Sequence, residues 1–253
     1  MMEQMDNSQF KVYSYGYVAD NKALSSRVIN VIPVDQASMT DGEVASNPTD
    51  LTSEGVDKDG NKYKTSVTND TVIECTWLPF GSNRVTPPDV RRGEPVLIWN
   101  YGSTDKYYWT ILGLSDDLRR LETVVYAFNG NPDTASKEFD PEDHYFVEIS
   151  THSKQVTFRT SNKNGEPFKY SFQFNTAEGK VTLMDDTNNY IELDSKAITL
   201  KSELYTGTKI HMERDKILAE TTAEIKLKVG GTEMTFTPGS TTLKTPEFFG
   251  ERG

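Results

Sequence analysis

The sequence predicts an all-β protein in two parts, a small five-stranded barrel and then a long ladder of very short strands. Two observations predict the ladder. Between residues 181 and 243 the apolar residues fall in alternating pairs, among them Val181/Leu183, Ile191/Leu193, Ile198/Leu200, Ile210/Met212, Leu227/Val229 and Met234/Phe236. Strict alternation marks a strand with one face in a core. The spacers between pairs are only a few residues long and rich in turn formers, such as Gly230-Gly231 and Pro238-Gly239. A third observation, about five strands in the roughly 90 residues before the ladder, matches the size of a small OB-like barrel.

The first clear barrel strand is residues 27–34, with Pro33 placing it at an edge or an end. Residues 8–26 carry Phe10, Val12, Tyr13, Tyr15, Tyr17 and Val18, an aromatic arm suited to adding a strand or gripping a neighbour. The domain reading is therefore an arm over 1–26 and an OB-fold domain over 27–114. Within that domain, residues 35–61 lack aromatics and periodicity and read as one long exposed loop. Asp57, Asp59 and Asn61 resemble a calcium loop, but Gly60 and the absence of a suitably placed glutamate spoil the pattern.

Strands resume at residues 64–68 and 71–78. Residues 96–101 and 106–112 then form a hairpin around Gly102-Ser103-Thr104-Asp105. Ser115 followed by Asp116, Asp117, Leu118 and Leu121 reads as an N-capped short helix. That helix and the turn-rich stretch 129–143 make a connector over 115–143. The second domain, 144–253, opens with aromatic strands at 144–149, 155–158 and 170–174 and continues into the aliphatic ladder.

One copy of the ladder poses a burial problem, since each strand offers one or two aliphatics and its other face is Thr, Lys and Glu. Such short strands do not enclose a core alone. Spacing leaves two solutions open: a meander in a monomeric sandwich, or three chains wound about one axis with their aliphatics at the centre.

Composition narrows the function classes. The chain has 253 residues, of which 35% are hydrophobic, and a mean hydropathy of −0.60. That fits an elongated body with a large surface-to-core ratio, although disordered loops lower the same numbers. A net charge of −11 repels phosphate backbones, so nucleic acid is not an expected partner. Cys75 is the one cysteine, which forbids an intrachain disulfide, and its apolar setting reads as a small core hydrophobe. Residues 1–7 have neither the basic nor the apolar region of a signal peptide, and no stretch reaches the roughly 20 apolar residues of a membrane span. A soluble chain made in a cytoplasm is expected.

No catalytic constellation stands out. There is no Gly-x-Ser-x-Gly elbow, and His144, His152 and His211 are scattered, the first two reading as surface groups. A glycosidase pair among the many carboxylates stays open, but the ladder offers no evident cleft. The expectation is a non-enzyme with no cofactor and no metal. Trp99, Tyr101, Tyr107, Tyr108 and Trp109 read as barrel core and packing before they read as a sugar platform.

A barrel, a linker and a short-strand ladder ending in Thr245-Pro246-Glu247-Phe248-Phe249-Gly250 resemble the central, membrane-piercing spike proteins of contractile phage tail baseplates, and the related spikes of type VI secretion. The barrel strands at 28–34 and 96–112 and the ladder 181–243 carry the likeness. The resemblance implies a homotrimer with an OB-fold followed by an intertwined triple-stranded β-helix. It implies a bacteriophage virion protein of the tail baseplate, made in the host cytoplasm, attached under the tail hub. Its task is to puncture the host outer membrane mechanically when the sheath contracts. Tyr13, Tyr15 and Tyr17 are the expected hub contact, and Pro246, Phe248 and Phe249 the expected dock for a separate spike-tip protein. Two family features are missing: the last histidine, His211, precedes Met212-Glu213 rather than completing a His-x-His iron motif, and no lysozyme domain fits between barrel and ladder. The competing expectation is a trimeric receptor- or carbohydrate-binding tail protein, which the few aromatics after residue 180 disfavour.

Overall fold

Alternation this regular leaves strands as the only element that places every apolar side chain on one face, and strands are what the chain forms. The computed structural model describes residues 9–34, 50–68, 72–112, 121–135, 138–202 and 207–250, and among these there is no helix. The helix expected from Ser115 lies outside the described residues. The strands, in chain order, are β1 (Phe10–Val18), β2 (Val28–Pro33), β3 (Asp50–Val56), β4 (Lys62–Thr68), β5 (Ile73–Trp77), β6 (Pro95–Tyr101), β7 (Tyr107–Ile111), β8 (Thr123–Asn129), β9 (His144–Ser150) and β10 (Gln155–Arg159). There follow β11 (Tyr170–Asn175), β12 (Lys180–Asp185), β13 (Tyr190–Asp194), β14 (Ala197–Ser202), β15 (Thr208–Glu213), β16 (Lys216–Glu220), β17 (Ile225–Val229), β18 (Thr232–Thr237) and β19 (Ser240–Lys244). Two compact units result: Met1–Ala127 with Glu148–His152, and Phe128–Val147 with Ser153–Gly253.

The first unit holds a closed barrel of order β1-β2-β5-β7-β6, in which β1 also pairs with β6 and β5 runs parallel to β7. Alternation sorts each strand into an inner and an outer face. Ile29 and Val31 of β2, Cys75 and Trp77 of β5, Val96 and Ile98 of β6, and Trp109 of β7 point inward and are buried with Val18 and Val90. Trp109 resolves its polar atom by donating Nε1–H to the Arg27 carbonyl at 3.1 Å. The same burial, with Glu74 alongside, pushes the Cys75 thiol up to about 12, so the cysteine is a core group and not a nucleophile.

Two expectations are corrected. Residues 10–18 do not stand apart from the barrel domain as an arm: of the two roles open to them they take the first and add the strand β1 to the barrel, its inner positions being Ser14, Gly16 and Val18. Small inner residues hid it from a hydrophobic count, because the space inside is already taken by larger partners. Nor is 35–61 a single loop, since β3 and β4 form a hairpin in register from Asp50↔Thr68 to Val56↔Lys62. Its turn is held by the Asp57 carboxylate, which accepts from the backbone N–H of Asp59 and Asn61 at 3.0 and 2.8 Å. The Asp-x-Asp-x-Asn pattern is therefore spent on a turn. The arginine plane of Arg92 lies 4.5 Å from the Tyr63 ring and fixes the hairpin to the barrel wall.

In the second unit, β8 to β16 form one antiparallel meander of nine strands, β8 and β9 crossing the boundary between units, and β17 to β19 form a separate three-stranded sheet. Every ladder strand expected from apolar pairs between residues 181 and 243 is present. From β11 on, consecutive strands within each sheet pair because the connections between them have room only for short turns.

Gly16 offers a test of the barrel. A methyl there would lie 2.6 Å from Val31 Cγ1 and 2.5 Å from the Ile32 carbonyl oxygen. Gly16→Ala is expected to destabilise the protein by about 1–3 kcal/mol through overpacking, measured by denaturant or thermal unfolding. An unchanged midpoint would show that β1 can move away from β2.

Candidate interaction surfaces

The ladder's faces follow from register. Across the sheet, Phe158, Phe172, Leu183, Ile191, Leu200 and Ile210 stand directly opposite one another in successive strands and make one apolar row. Val156, Phe174, Val181, Leu193, Ile198, Met212 and Ile217 make a second, parallel row on the same face. The opposite face carries Thr157, Gln173, Thr182, Glu192, Thr199 and His211 in one row, with Ser171, Met184, Tyr190, Lys201 and Lys209 in the next.

Burial on this sheet is inverted relative to a soluble monomer. Phe158, Phe172, Phe174, Leu183, Ile191, Leu193, Ile198, Leu200 and Ile210 are 36–49% exposed, while the polar row behind them is half-buried or buried. The polar row satisfies itself: Gln173 Nε2 donates to Thr157 Oγ1 at 3.3 Å, and Thr199 Oγ1 lies 2.9 Å from His211 Nδ1. The short three-stranded sheet repeats the pattern, with Ile225 opposite Phe236, and Leu227, Met234 and Leu243 aligned on one face. Leu227 and Leu243 are exposed there too. A contiguous apolar surface of this length exceeds what isolated soluble chains leave to water.

Along the apolar face between Tyr170 and Thr208 runs an open groove of about 420 Å³, floored by Leu183, Ile191, Leu200 and Ile210. Signals for it are present in the sequence but become readable only with register, because the polar residues that rim it, Asp185, Ser202 and Thr208, look like ordinary turn residues.

The sequence-nominated contacts divide between two places. Tyr13, Tyr15 and Tyr17 come together on the outer side of β1, all exposed, with Tyr13 packed edge-on to Tyr107 at 5.1 Å and Tyr15 edge-on to Tyr17 at 6.3 Å. A bulge between Val12 and Ser14, where the register with β6 shifts, sits at Tyr13. Pro246, Phe248 and Phe249 follow β19, and both phenylalanines are the most exposed aromatics described, at 74% and 85%. Thr245 Oγ1 donates to the Glu247 carbonyl at 2.7 Å and shapes this tail.

The Trp/Tyr cluster is occupied by its own neighbours. Trp109 is buried, and Trp99 stacks on Phe10 and on Phe80 at 5.4 and 5.2 Å while donating Nε1–H to Thr110 Oγ1. The two histidines read as surface groups are withdrawn from solvent to different degrees, His152 being half-buried. His144 is buried, its Nδ1 2.9 Å from the Asp140 carbonyl oxygen. His152 brings Nε2 to 3.4 Å from the Asp89 carboxylate, beside the ion pair of Arg84 and Glu122. Buried Lys22 lies near both acids and donates to the Ala23 and Leu24 carbonyls; burial lowers its pKa, and Asp89 and Glu122 oppose that shift. Periodicity carries no signal for such a cluster, because its members come from loops far apart in the chain. Among the described residues no group of three or more His, Cys, Asp or Glu is placed to hold a metal ion.

The ladder's turns make its stability acid-sensitive. Asp194 accepts from the backbone N–H of Lys196 and Ala197, both at 2.6 Å, and these bonds hold its carboxyl below the ordinary 3.8. For Asp185, burial works to raise the value, yet bonds from Asn189 and Thr187 leave it lowered. A depressed folded-state pKa contributes stability that is present above the unfolded value and lost as pH falls through the folded one. The melting temperature is expected to hold steady down to about pH 5 and to drop progressively below 3.8. Asp194→Asn, which keeps the acceptor but not the charge, is expected to flatten that acid limb in thermal melts recorded against pH.

No protein-family model matches this sequence, and no curated protein does.

Proposed function

We propose that the protein is the central spike of a contractile tail baseplate, working as a homotrimer that is driven through the host outer membrane. The observation that carries this reading is the apolar face of the ladder, which its own chain leaves uncovered. The nine large side chains exposed there amount to roughly 700 Å² per copy, close to the roughly 800 Å² each partner contributes to a stable interface. At about 25 cal/mol per Å², covering it is worth on the order of 15 kcal/mol before ordering costs, as much as the whole folding stability of a typical domain. Three chains wound about one axis cover this face with copies of itself. They form an intertwined triple-stranded β-helix that has no free sheet edge and stays rigid under axial load.

The barrel supports the same reading. Counting only its own strands, the order is 1-2-3-5-4 with the third and fifth parallel, as in an OB-fold, and an OB-fold ahead of the spike is what the resembling family carries. Tyr13, Tyr15 and Tyr17 hold this end to the tail hub, by a contact that is non-covalent because the spike must leave the hub on contraction. Phe248 and Phe249 from three copies form an apolar cap on which a separate tip protein seats. Force transmission, with no reaction, is the mechanism, and the virion baseplate is the location.

Light scattering together with small-angle X-ray scattering tests the assembly. The expected particle is elongated and has three times the 28.5 kDa chain mass. A compact monomer would sink the proposal and return the Trp99 region to consideration as a ligand platform. For the tip, Phe248→Asp combined with Phe249→Asp is expected to strip the tip subunit from isolated tails and abolish infectivity. Unchanged tip composition would remove the docking role.

A further inference from the structure

The apolar face is asymmetric across its width. In β12 the residues on that face run Val181, Leu183, Asp185; in β14 they run Ile198, Leu200, Ser202. β15 runs the other way and reads Met212, Ile210, Thr208 in the same order across the sheet. In these three strands two apolar positions are followed by a polar one on the same margin, where Asp185 faces Tyr170 of β11 and Ser202 faces Thr208. The groove of about 420 Å³ lies along this polar margin. On the other margin the strands end on Leu193, Ile198 and Ile217, which are exposed up to the hairpin turns.

From this asymmetry we infer that neighbouring copies join by a one-way contact, in which the groove of one chain receives the apolar margin of the next. The inference rests on the three-copy reading above and specifies the partner surface within it. Copies arranged in parallel about an axis along the rows bring unlike margins together at every seam. An apolar margin seated over Leu200 and Ile210 loses its exposure, and the lip of Asp185, Ser202 and Thr208 stays at the solvent side of the seam. A two-fold arrangement with antiparallel ladders brings like margins together instead. It would set the polar lip of one copy against the polar lip of the other, so that neither groove would receive an apolar margin. One-way contacts extend indefinitely unless the rotation closes, and three such seams close a ring.

The test places a photo-crosslinking residue on the lip of the full-length protein, as Thr208→p-benzoylphenylalanine and, separately, Ser202→p-benzoylphenylalanine. Thr182→p-benzoylphenylalanine, on the opposite face, is the control. Irradiation is expected to yield bands at two and three chain masses from the lip variants and none from the control. Peptide mapping of mixed isotope-labelled chains is expected to place the inter-chain link on the margin bearing Leu193, Ile198, Met212 and Ile217. A link from the lip to the lip of another copy, or products that stop at two chains, would overturn the one-way seam. A particle that remains three chains by light scattering yet gives no inter-chain link from either lip position would overturn the seam and leave the trimer standing. A monomer by scattering would overturn both.

Discussion

A β-sheet has two faces, and the meander of the second unit leaves its apolar face exposed. Hairpin after hairpin lays each strand beside the one before it, so the nine strands of the meander make a single layer. A stable domain needs two. The alternation that builds the strands also gathers Leu183, Ile191, Leu200 and Ile210 into one row and Val181, Leu193 and Ile198 into another. The more regular the local pattern, the more continuous the uncovered surface it produces. The proposed trimer is the arrangement in which the missing layer comes from the chain's own copies.

The first unit solves the same problem alone. Its five strands curl until β1 meets β6, so that one sheet supplies both layers and no edge remains. Closure at that radius forces small residues inside where large ones face them. Gly16 lies against Val31 and Ile32, while Trp109 and Trp77 fill the centre. Charge is handled differently in the two units. The barrel unit gathers buried Lys22 with half-buried Asp89, Glu122 and Arg84 as a mutually compensating set. The ladder keeps its charges at half-exposed positions and spends its aspartates on turns, where a carboxylate can accept two or more backbone donors at once.

Aromatic residues make the contrast plainest. Inside the barrel and along its seam they are consumed by packing, Trp99 against Phe10 and Phe80. On the outer side of β1 and at the chain's last described residues they are presented to solvent, as Tyr15 and Tyr17 and as Phe248 and Phe249. The phenylalanines lack a polar handle, so their exposure costs more than that of the tyrosines, whose hydroxyls remain hydrated.

Much was legible in the sequence. Period-two alternation with spacers of a few residues determined the ladder strands, their antiparallel pairing and the identity of the apolar face, because all three are consequences of local geometry. The hairpin at residues 96–112 and the core role of Cys75 were readable for the same reason. Long-range closure was not. β1 looked like an arm able to add a strand somewhere, and not like a wall of the barrel, because its inner residues, Ser14 and Gly16, are small for reasons that lie in β2 and β6. β3 looked like part of a loop because it carries no apolar alternation, although its partner β4 was expected as a strand at 64–68. His152 and Asp89, distant in sequence, meet only when a strand end reaches a barrel loop. The groove and its polar lip needed register, since a turn aspartate and a serine fall on one margin only once the strands are aligned. Local periodicity determines which faces exist; which of them the chain itself covers is decided by contacts between residues far apart, and those only the tertiary structure contains.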